Sequence, residues 1–141
     1  TYLDDRLPRY TSYPTAPHFA ADVDAACYGD WLGALSPDTK GSLYLHIPFC
    51  RSMCWYCGCH TTVALRDPPI GAYLEVLRQE IEAVAARLTT PLDVRHVHFG
   101  GGTPTILAPA DFVALVALLR DRFALHRDAE IAVEIDPRHL A

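Results

Sequence analysis

Cysteines at positions 50, 54 and 57 stand within eight residues, Cys50-Arg51-Ser52-Met53-Cys54-Trp55-Tyr56-Cys57. They offer three thiolates on one short loop. A structural zinc takes four protein ligands, and so does an ordinary electron-transfer cluster. A cubane iron–sulfur cluster held by three cysteines keeps one iron open to bind something else. The count of three therefore points to catalysis rather than to a structural staple. Zinc completed by Cys59 or His60 is the competing reading, since Cys₃His and Cys₄ sites both occur. Zinc ligands usually come as two separated pairs, however, and here all lie within ten residues. A redox pair of Cys54 and Cys57 is a third reading, and it leaves Cys50 without a role.

Two further candidates carry chemistry. Gly100-Gly101-Gly102-Thr103-Pro104 lacks the Gly-Lys-Ser/Thr ending of a phosphate loop and does not fit Gly-x-Gly-x-x-Gly. Such a run makes a tight strand-to-helix turn. It also lets the backbone come close to a ligand and present N–H and C=O groups, for which an amino acid's ammonium or carboxylate is a fitting guest. Glu134 lies in an apolar stretch, where a carboxylate is either a salt-bridge partner or a ligand contact. His46, His96 and His98 read as packed histidines, because the cysteines already account for a metal. Tyr44 and Tyr56 bracket the cysteine loop, and the loop position of Tyr56 suits stacking on an adenine.

The elements that position these residues alternate. Leu43–Ile47 reads as a strand, 70–88 as an amphipathic helix and Val94–Phe99 as a second strand. Pro109 opens a second helix running to about Phe123, and Ile131–Ile135 is a third strand. Strand–helix alternation of this length implies βαβ units and a parallel sheet with right-handed crossovers. Ligand sites in such sheets form at the C-terminal ends of the strands. The cysteine loop, the glycine run and Glu134 all fall on that rim. Residues 1–42 read as an irregular arm, where the prolines of Tyr10-Thr11-Ser12-Tyr13-Pro14-Thr15-Ala16-Pro17 exclude a regular helix. A short helix fits between Ala20 and Leu35.

The 141 residues make one domain's worth of chain, half hydrophobic and 21% charged, an ordinary globular composition. A net charge of -5 with no basic stripe argues against a nucleic-acid partner. No apolar run approaches the roughly 20 residues that cross a bilayer. Among five cysteines, Cys50, Cys54, Cys57 and Cys59 are too close to pair as disulfides, which places metal-bound thiolates in a reducing, cytoplasmic compartment. Cys27 stands apart as a small hydrophobe. The chain starts at Thr1 and stops six residues after its third strand, so it reads as a piece of something longer. An open three-strand sheet lacks a substrate wall, and residues 1–141 alone are not expected to catalyse.

Cys50-x3-Cys54-x2-Cys57 together with Gly100–Pro104 resembles the signature of the radical S-adenosylmethionine superfamily. Within it the chain is similar to the oxygen-independent coproporphyrinogen III oxidases. The residues that carry this are the Tyr10–Ala16 stretch, Leu43-Tyr44-Leu45-His46-Ile47-Pro48-Phe49-Cys50, Cys57-Gly58-Cys59 and Glu134-Ile135-Asp136-Pro137-Arg138. The similarity covers nearly the whole chain but about the N-terminal third of such an enzyme. It implies that 43–141 form the first βα units of a partial (β/α)6 barrel behind the arm.

The resemblance also implies roles. Cys50, Cys54 and Cys57 would hold a 4Fe–4S cluster, with Cys59 an additional non-ligating cysteine. Tyr44, Tyr56, Gly101, Gly102, Thr103 and Glu134 fall where the family contacts S-adenosylmethionine; the family commonly has Phe at the position of Tyr56. The open iron would bind the methionine moiety, and one electron would break a C–S bond to release a 5′-deoxyadenosyl radical. That radical would start the oxidative decarboxylation of two propionates of coproporphyrinogen III, giving protoporphyrinogen IX. A separate electron donor and an acceptor are implied, and a monomer is expected. The polyanionic substrate calls for cationic contacts, for which Arg9 and Arg51 are local candidates. A homologous haem chaperone shares the cluster motif without the oxidase activity. Such relatives tend to lack the Cys-x-Cys ending and the Tyr-Thr-Ser-Tyr-Pro arm, both present here.

Overall fold

A computed structural model describes residues 18–139. The Tyr10–Ala16 stretch and Arg9 lie outside these residues. Helix α1 (Ala25–Gly33) is capped by Asp24, whose carboxylate accepts the Cys27 N–H at 2.9 Å. It leads to strand β1 (Lys40–Ile47), which begins three residues earlier than the apolar run suggests, and then to a two-residue strand β2 (Phe49–Cys50). The cysteine loop follows and returns as β3 (Thr62–Val63). Helix α2 (Pro68–Ala85) starts on two prolines, residues that suit a first turn because its N–H groups lack intrahelical partners. Strand β4 (Asp93–Gly101), a 3₁₀ turn (Pro104–Ile106), helix α3 (Pro109–Arg122), strand β5 (Ala124–Val133) and a second 3₁₀ turn (Pro137–His139) complete the order.

The main sheet has the order β1-β4-β5, with both pairings parallel. Both crossovers are thus βαβ units. One sheet face is apolar: Leu45, Ile47, Val94, Val97 and Phe99 pack against Ile70, Leu74, Leu77 and Ile81 of α2 and Leu115 and Leu119 of α3. Phe99, Ile47, Leu74 and Leu115 are among the largest side chains shut off from solvent. Burying a side chain of this size contributes about 1.5–3 kcal/mol.

The other face carries Tyr44, His46, His96 and His98. A register shift makes this possible. Gly41 pairs with Val94 and Ser42 with His96, so Arg95 is an extra residue on β4. The bulge re-phases the alternation, and Val94 and Val97 both face the helices while His96 and His98 face away. A parallel sheet normally buries apolar residues on both faces; this one reserves a face for polar side chains.

Besides the early start of β1, helix α2 spans Pro68–Ala85 where the sequence pattern suggests 70–88, and the bounds of β4 and β5 differ as well. Strand β4 runs on through Gly101, so two of the glycines belong to the strand rather than to the turn after it. Strand β5 starts at Ala124, because Ala124 and Leu125 pair with Asp93 and Val94 before the ladder skips to Glu130 opposite His96. The chain leaves β5 at Val133, which puts Glu134 one residue past the strand. The β2–β3 pair comes from neither an apolar run nor an alternation.

Candidate cluster and cofactor site at the strand ends

The site begins where β1 stops. The Ile47 and Phe49 carbonyls accept the N–H groups of Gly102 and Thr103, each at 2.8 Å. The glycine run is therefore zipped to the entrance of the cysteine loop. Gly101 has φ +109°, a conformation open to glycine, and a Cβ there would meet the His46 ring at 2.7 Å. A Cβ at Gly102 would meet the Phe49 carbonyl oxygen and the Thr61 hydroxyl, both at 2.5 Å. The N–H of Gly101 goes to Glu134 Oε2 at 3.1 Å. The expectation that this backbone presents N–H groups to a ligand thus fails at Gly101, Gly102 and Thr103: all three are spent inside the fold.

The cysteine loop is held at both ends. Thr62 N–H donates to the Pro48 carbonyl and Ala64 N–H to the Cys50 carbonyl. Arg51 donates to the Ala64 carbonyl at 2.9 Å and pairs with Asp67. That engagement makes Arg51 a brace of the loop. A turn closed by Cys57 N–H on the Cys54 carbonyl at 3.1 Å sits between.

Cys50 is buried, Cys54 and Cys57 are half-buried and Cys59 is exposed. The Cys50 sulfur lies 3.4 Å from the Thr103 hydroxyl and 3.5 Å from that of Thr61. Arg138 Nη2 donates to the Cys54 sulfur at 3.2 Å. All four cysteines border one cleft of about 200 Å³, whose walls include Tyr56, Gly101, Gly102, Thr103 and Asp136. The Cys59 thiol is pushed up from its ordinary range by desolvation, then by Cys57. The structure therefore brings Cys50, Cys54, Cys57, Tyr56, Gly101, Gly102 and Thr103 together in one place.

Glu134 and Tyr44 do not line that cleft; they meet over Gly100, and Glu134 reaches the cleft wall through its bond to Gly101. A Cβ on Gly100 would meet Tyr44 at 2.8 Å and Glu134 Oε1 at 2.9 Å, so the missing side chain makes room for both. Glu134 Oε1 accepts from His98 Nε2 at 3.1 Å. His46 Nε2 donates to the His60 carbonyl at 2.9 Å, which leaves Nδ1 to accept the Tyr44 hydroxyl at 3.0 Å. The Tyr44 phenol is raised from its ordinary value by desolvation first and by Glu134 second.

His46 and His98 are half-buried and hydrogen-bonded, and their ring nitrogens orient Tyr44 and Glu134. His96, by contrast, faces solvent with 61% of its side chain exposed instead of being packed. Period-two alternation already puts Tyr44 and His46 on one face, so this pairing has a signal in the sequence. Thr61 has no such signal, and Asp136 and Arg138 enter the sequence reading only within the Glu134–Arg138 stretch of the resemblance, with no role attached. Their proximity to the cysteines comes only from the fold.

The donor set can be weighed against the groups it would hold. Ligands of one metal ion must meet at a point, and among the described residues no three His, Cys, Asp or Glu side chains do so. A cubane takes each thiolate on a different iron, so spread sulfurs around a shared cleft suit it. Glycines at the cleft wall keep the backbone clear of Cβ atoms where a bulky group would sit. The residues fit a cluster better than a single zinc.

Fold and site together define a parallel α/β domain that presents three clustered cysteines and a glycine turn at its strand ends. The chain belongs to the radical SAM superfamily, whose family model matches residues 44–141. Enzymes of this superfamily use a 4Fe–4S cluster and S-adenosylmethionine. The chain is 56% identical over 140 residues to the oxygen-independent coproporphyrinogen III oxidase of Bradyrhizobium diazoefficiens, covering 99% of this chain and 31% of that protein. It is 44% identical over 139 residues to the enzyme of the same name from Paracoccus denitrificans, covering 98% and 31%. The solved structure of coproporphyrinogen III oxidase (HemN) from Escherichia coli matches with a TM-score of 0.84 at 41% identity, over 94% of this chain and 30% of that one. The chain thus spans under a third of the length of these relatives.

Proposed function

We propose that the intact protein carries out the oxygen-independent oxidative decarboxylation of two propionates of coproporphyrinogen III, a step of haem synthesis. The observation that supports this best is the shared cleft: Cys50, Cys54 and Cys57 open onto the same space as Gly101, Gly102 and Thr103. Cys50, Cys54 and Cys57 would hold the cluster, and three thiolates for four irons would leave one iron for S-adenosylmethionine. When bound, these two groups supply a one-electron C–S cleavage and a 5′-deoxyadenosyl radical that takes hydrogen from a substrate propionate.

The chain's own residues set the stage for that chemistry. Thr103 and Thr61 place hydroxyls against the Cys50 sulfur, where each can donate to a thiolate. The glycine turn lets S-adenosylmethionine approach the backbone, and Glu134, oriented by His98 and Gly101, faces its polar end. Tyr44 stands beside Glu134. Tyr56 is almost wholly exposed at the cleft mouth and offers a ring face to the adenine.

The same reading divides the chain into an N-terminal segment and the first βα units of the barrel, with the boundary at the start of β1 (Lys40) and not at 42, and these units do not catalyse alone. No helix among the described residues is long and apolar enough to cross a membrane. We place the protein in the cytoplasm as a monomer, fed by a separate electron donor.

The test is an anaerobic assay of the intact protein for coproporphyrinogen decarboxylation, with Cys54→Ser as control. Turnover that disappears in the variant supports the assignment. A brown, cluster-loaded protein that binds haem but never decarboxylates would move it to the chaperone class. A colourless protein containing zinc would overturn it altogether.

A further inference from the structure

We infer that Arg138 is a positioning residue that sets the reduction potential of the cluster by donating a hydrogen bond to the sulfur of Cys54. The inference rests on the cluster reading above and concerns a residue outside the cysteine and glycine motifs. Arg138 sits in the turn after β5, and 84 positions separate it from Cys54. Its guanidinium is not a loose surface group. Asp136 accepts its Nε at 2.9 Å through Oδ1 and its Nη2 at 2.6 Å through Oδ2. Asp136 Oδ1 also accepts the Arg138 backbone N–H at 3.0 Å.

The Asp136 carboxylate is itself nearly enclosed, with a side-chain exposure of 9% against 48% for Arg138. A planar fork fixed in this way has little rotamer freedom left to lose. One Nη2 hydrogen goes to Asp136, and the other points at Cys54 Sγ, 3.2 Å away.

The physical consequence follows from charge. Reduction by one electron, taken from an external reductant, adds a negative charge to the cluster and its thiolates. An N–H donor carrying positive charge stabilises that state more than the oxidised one, so it raises the potential. Cys50 receives hydroxyl neighbours, which are neutral. Among the described residues, Arg138 is the cation whose N–H reaches one of the three cysteine sulfurs. Its place in the third βα unit couples the ease of cluster reduction to correct docking of β5, the strand that also delivers Glu134. A chain with β5 displaced would hold its cysteines yet reduce its cluster with more difficulty.

The experiment compares the intact protein with Arg138→Gln and Arg138→Lys. Each is loaded anaerobically with iron and sulfide, and midpoint potentials are read by dithionite titration followed by EPR, with iron content measured alongside. Arg138→Gln should keep its iron and shift the one-electron equilibrium about tenfold against reduction, which is about 59 mV more negative. Arg138→Lys keeps the charge but not the fork and should fall between the two.

An unchanged potential in a fully loaded Arg138→Gln protein overturns the inference and leaves the cluster assignment standing. If Arg138→Gln loses its cluster, Arg138→Lys decides, and a wild-type potential there also overturns it. Cluster loss from both variants with the fold intact assigns Arg138 a purely structural role and defeats the proposal. Failure of the parent protein to form a cluster defeats the site reading instead.

Discussion

Replacing Gly102 by alanine tests the link between the glycine turn and the cysteine loop. A Cβ at this position would sit 2.5 Å from the Phe49 carbonyl oxygen, 2.5 Å from Thr61 Oγ1 and 2.8 Å from the Phe49 carbonyl carbon. Ordinary contact begins near 3.4 Å, so something must move by nearly an ångström. Thr61 can rotate its hydroxyl away. Phe49 cannot, because its carbonyl belongs to the backbone of β2 and accepts the Thr103 N–H.

Overpacking of this kind costs about 1–3 kcal/mol. Stretching the Gly102–Ile47 and Thr103–Phe49 hydrogen bonds adds about 0.5–1.5 kcal/mol for each one lost. With both bonds lost, the expected destabilisation is about 2–6 kcal/mol. Phe49 adjoins Cys50, so the displacement also carries a thiol away from its partners. Guanidinium denaturation of the intact apo-protein should show a lower midpoint at unchanged slope, and anaerobic loading should leave less iron per chain. A Gly102→Ala protein with the parent's midpoint and full iron would refute the zipped arrangement.

Gly71 is the counterpart. It lies in α2 with nothing within 4 Å of a Cβ, so Gly71→Ala should stabilise by about 0.5–1 kcal/mol, seen as a higher denaturation midpoint with unchanged iron binding. The Glu82–Arg122 pair joins α2 to the end of α3, and the Arg122 hydrogen bond lowers the Glu82 carboxyl below its ordinary 4.5. A depressed carboxyl contributes stability that is fully present above the unfolded value and is lost as the pH falls through the folded one. The midpoint difference between the parent and Glu82→Gln should therefore vanish on acidification. The pair is exposed, so the difference should be small at neutral pH and smaller still in high salt.

The α/β class, both long helices and the three main strands were legible because their apolar residues recur at 3.6 or 2 positions. Val94–Phe99 was found from Val94, Val97 and Phe99, but the bulge at Arg95 was hidden, since a single extra residue leaves composition unchanged. The first half of β5 was invisible for a different reason. His126-Arg127-Asp128 has no apolar alternation, and Ala124 and Leu125 join the sheet only because β4 is already there to pair with. At the site, the cysteines, glycines, Glu134 and both tyrosines were legible from residue type and spacing. Arg138 and Thr61 were not. Their approach to Cys54 and Cys50 depends on where the third unit and the β3 return place them, which no local pattern encodes.

The two-residue ladder of β2 on β3 has a consequence for how the site is filled. It ties residues 49–50 to 62–63, and Arg51 adds a second tie to Ala64. The intervening stretch is thereby a closed loop before any inorganic partner arrives. Most of the chain entropy of bringing its ends together has been spent in folding. Cys50 is buried against the Thr61 and Thr103 hydroxyls at the anchored end of this loop, and Cys54 and Cys57 are half-buried beyond it. The remaining ordering falls on a handful of residues around Trp55 and Tyr56, the most exposed large side chains of the loop. On the proposed reading, loading a cluster would order a short tethered loop rather than fold a domain.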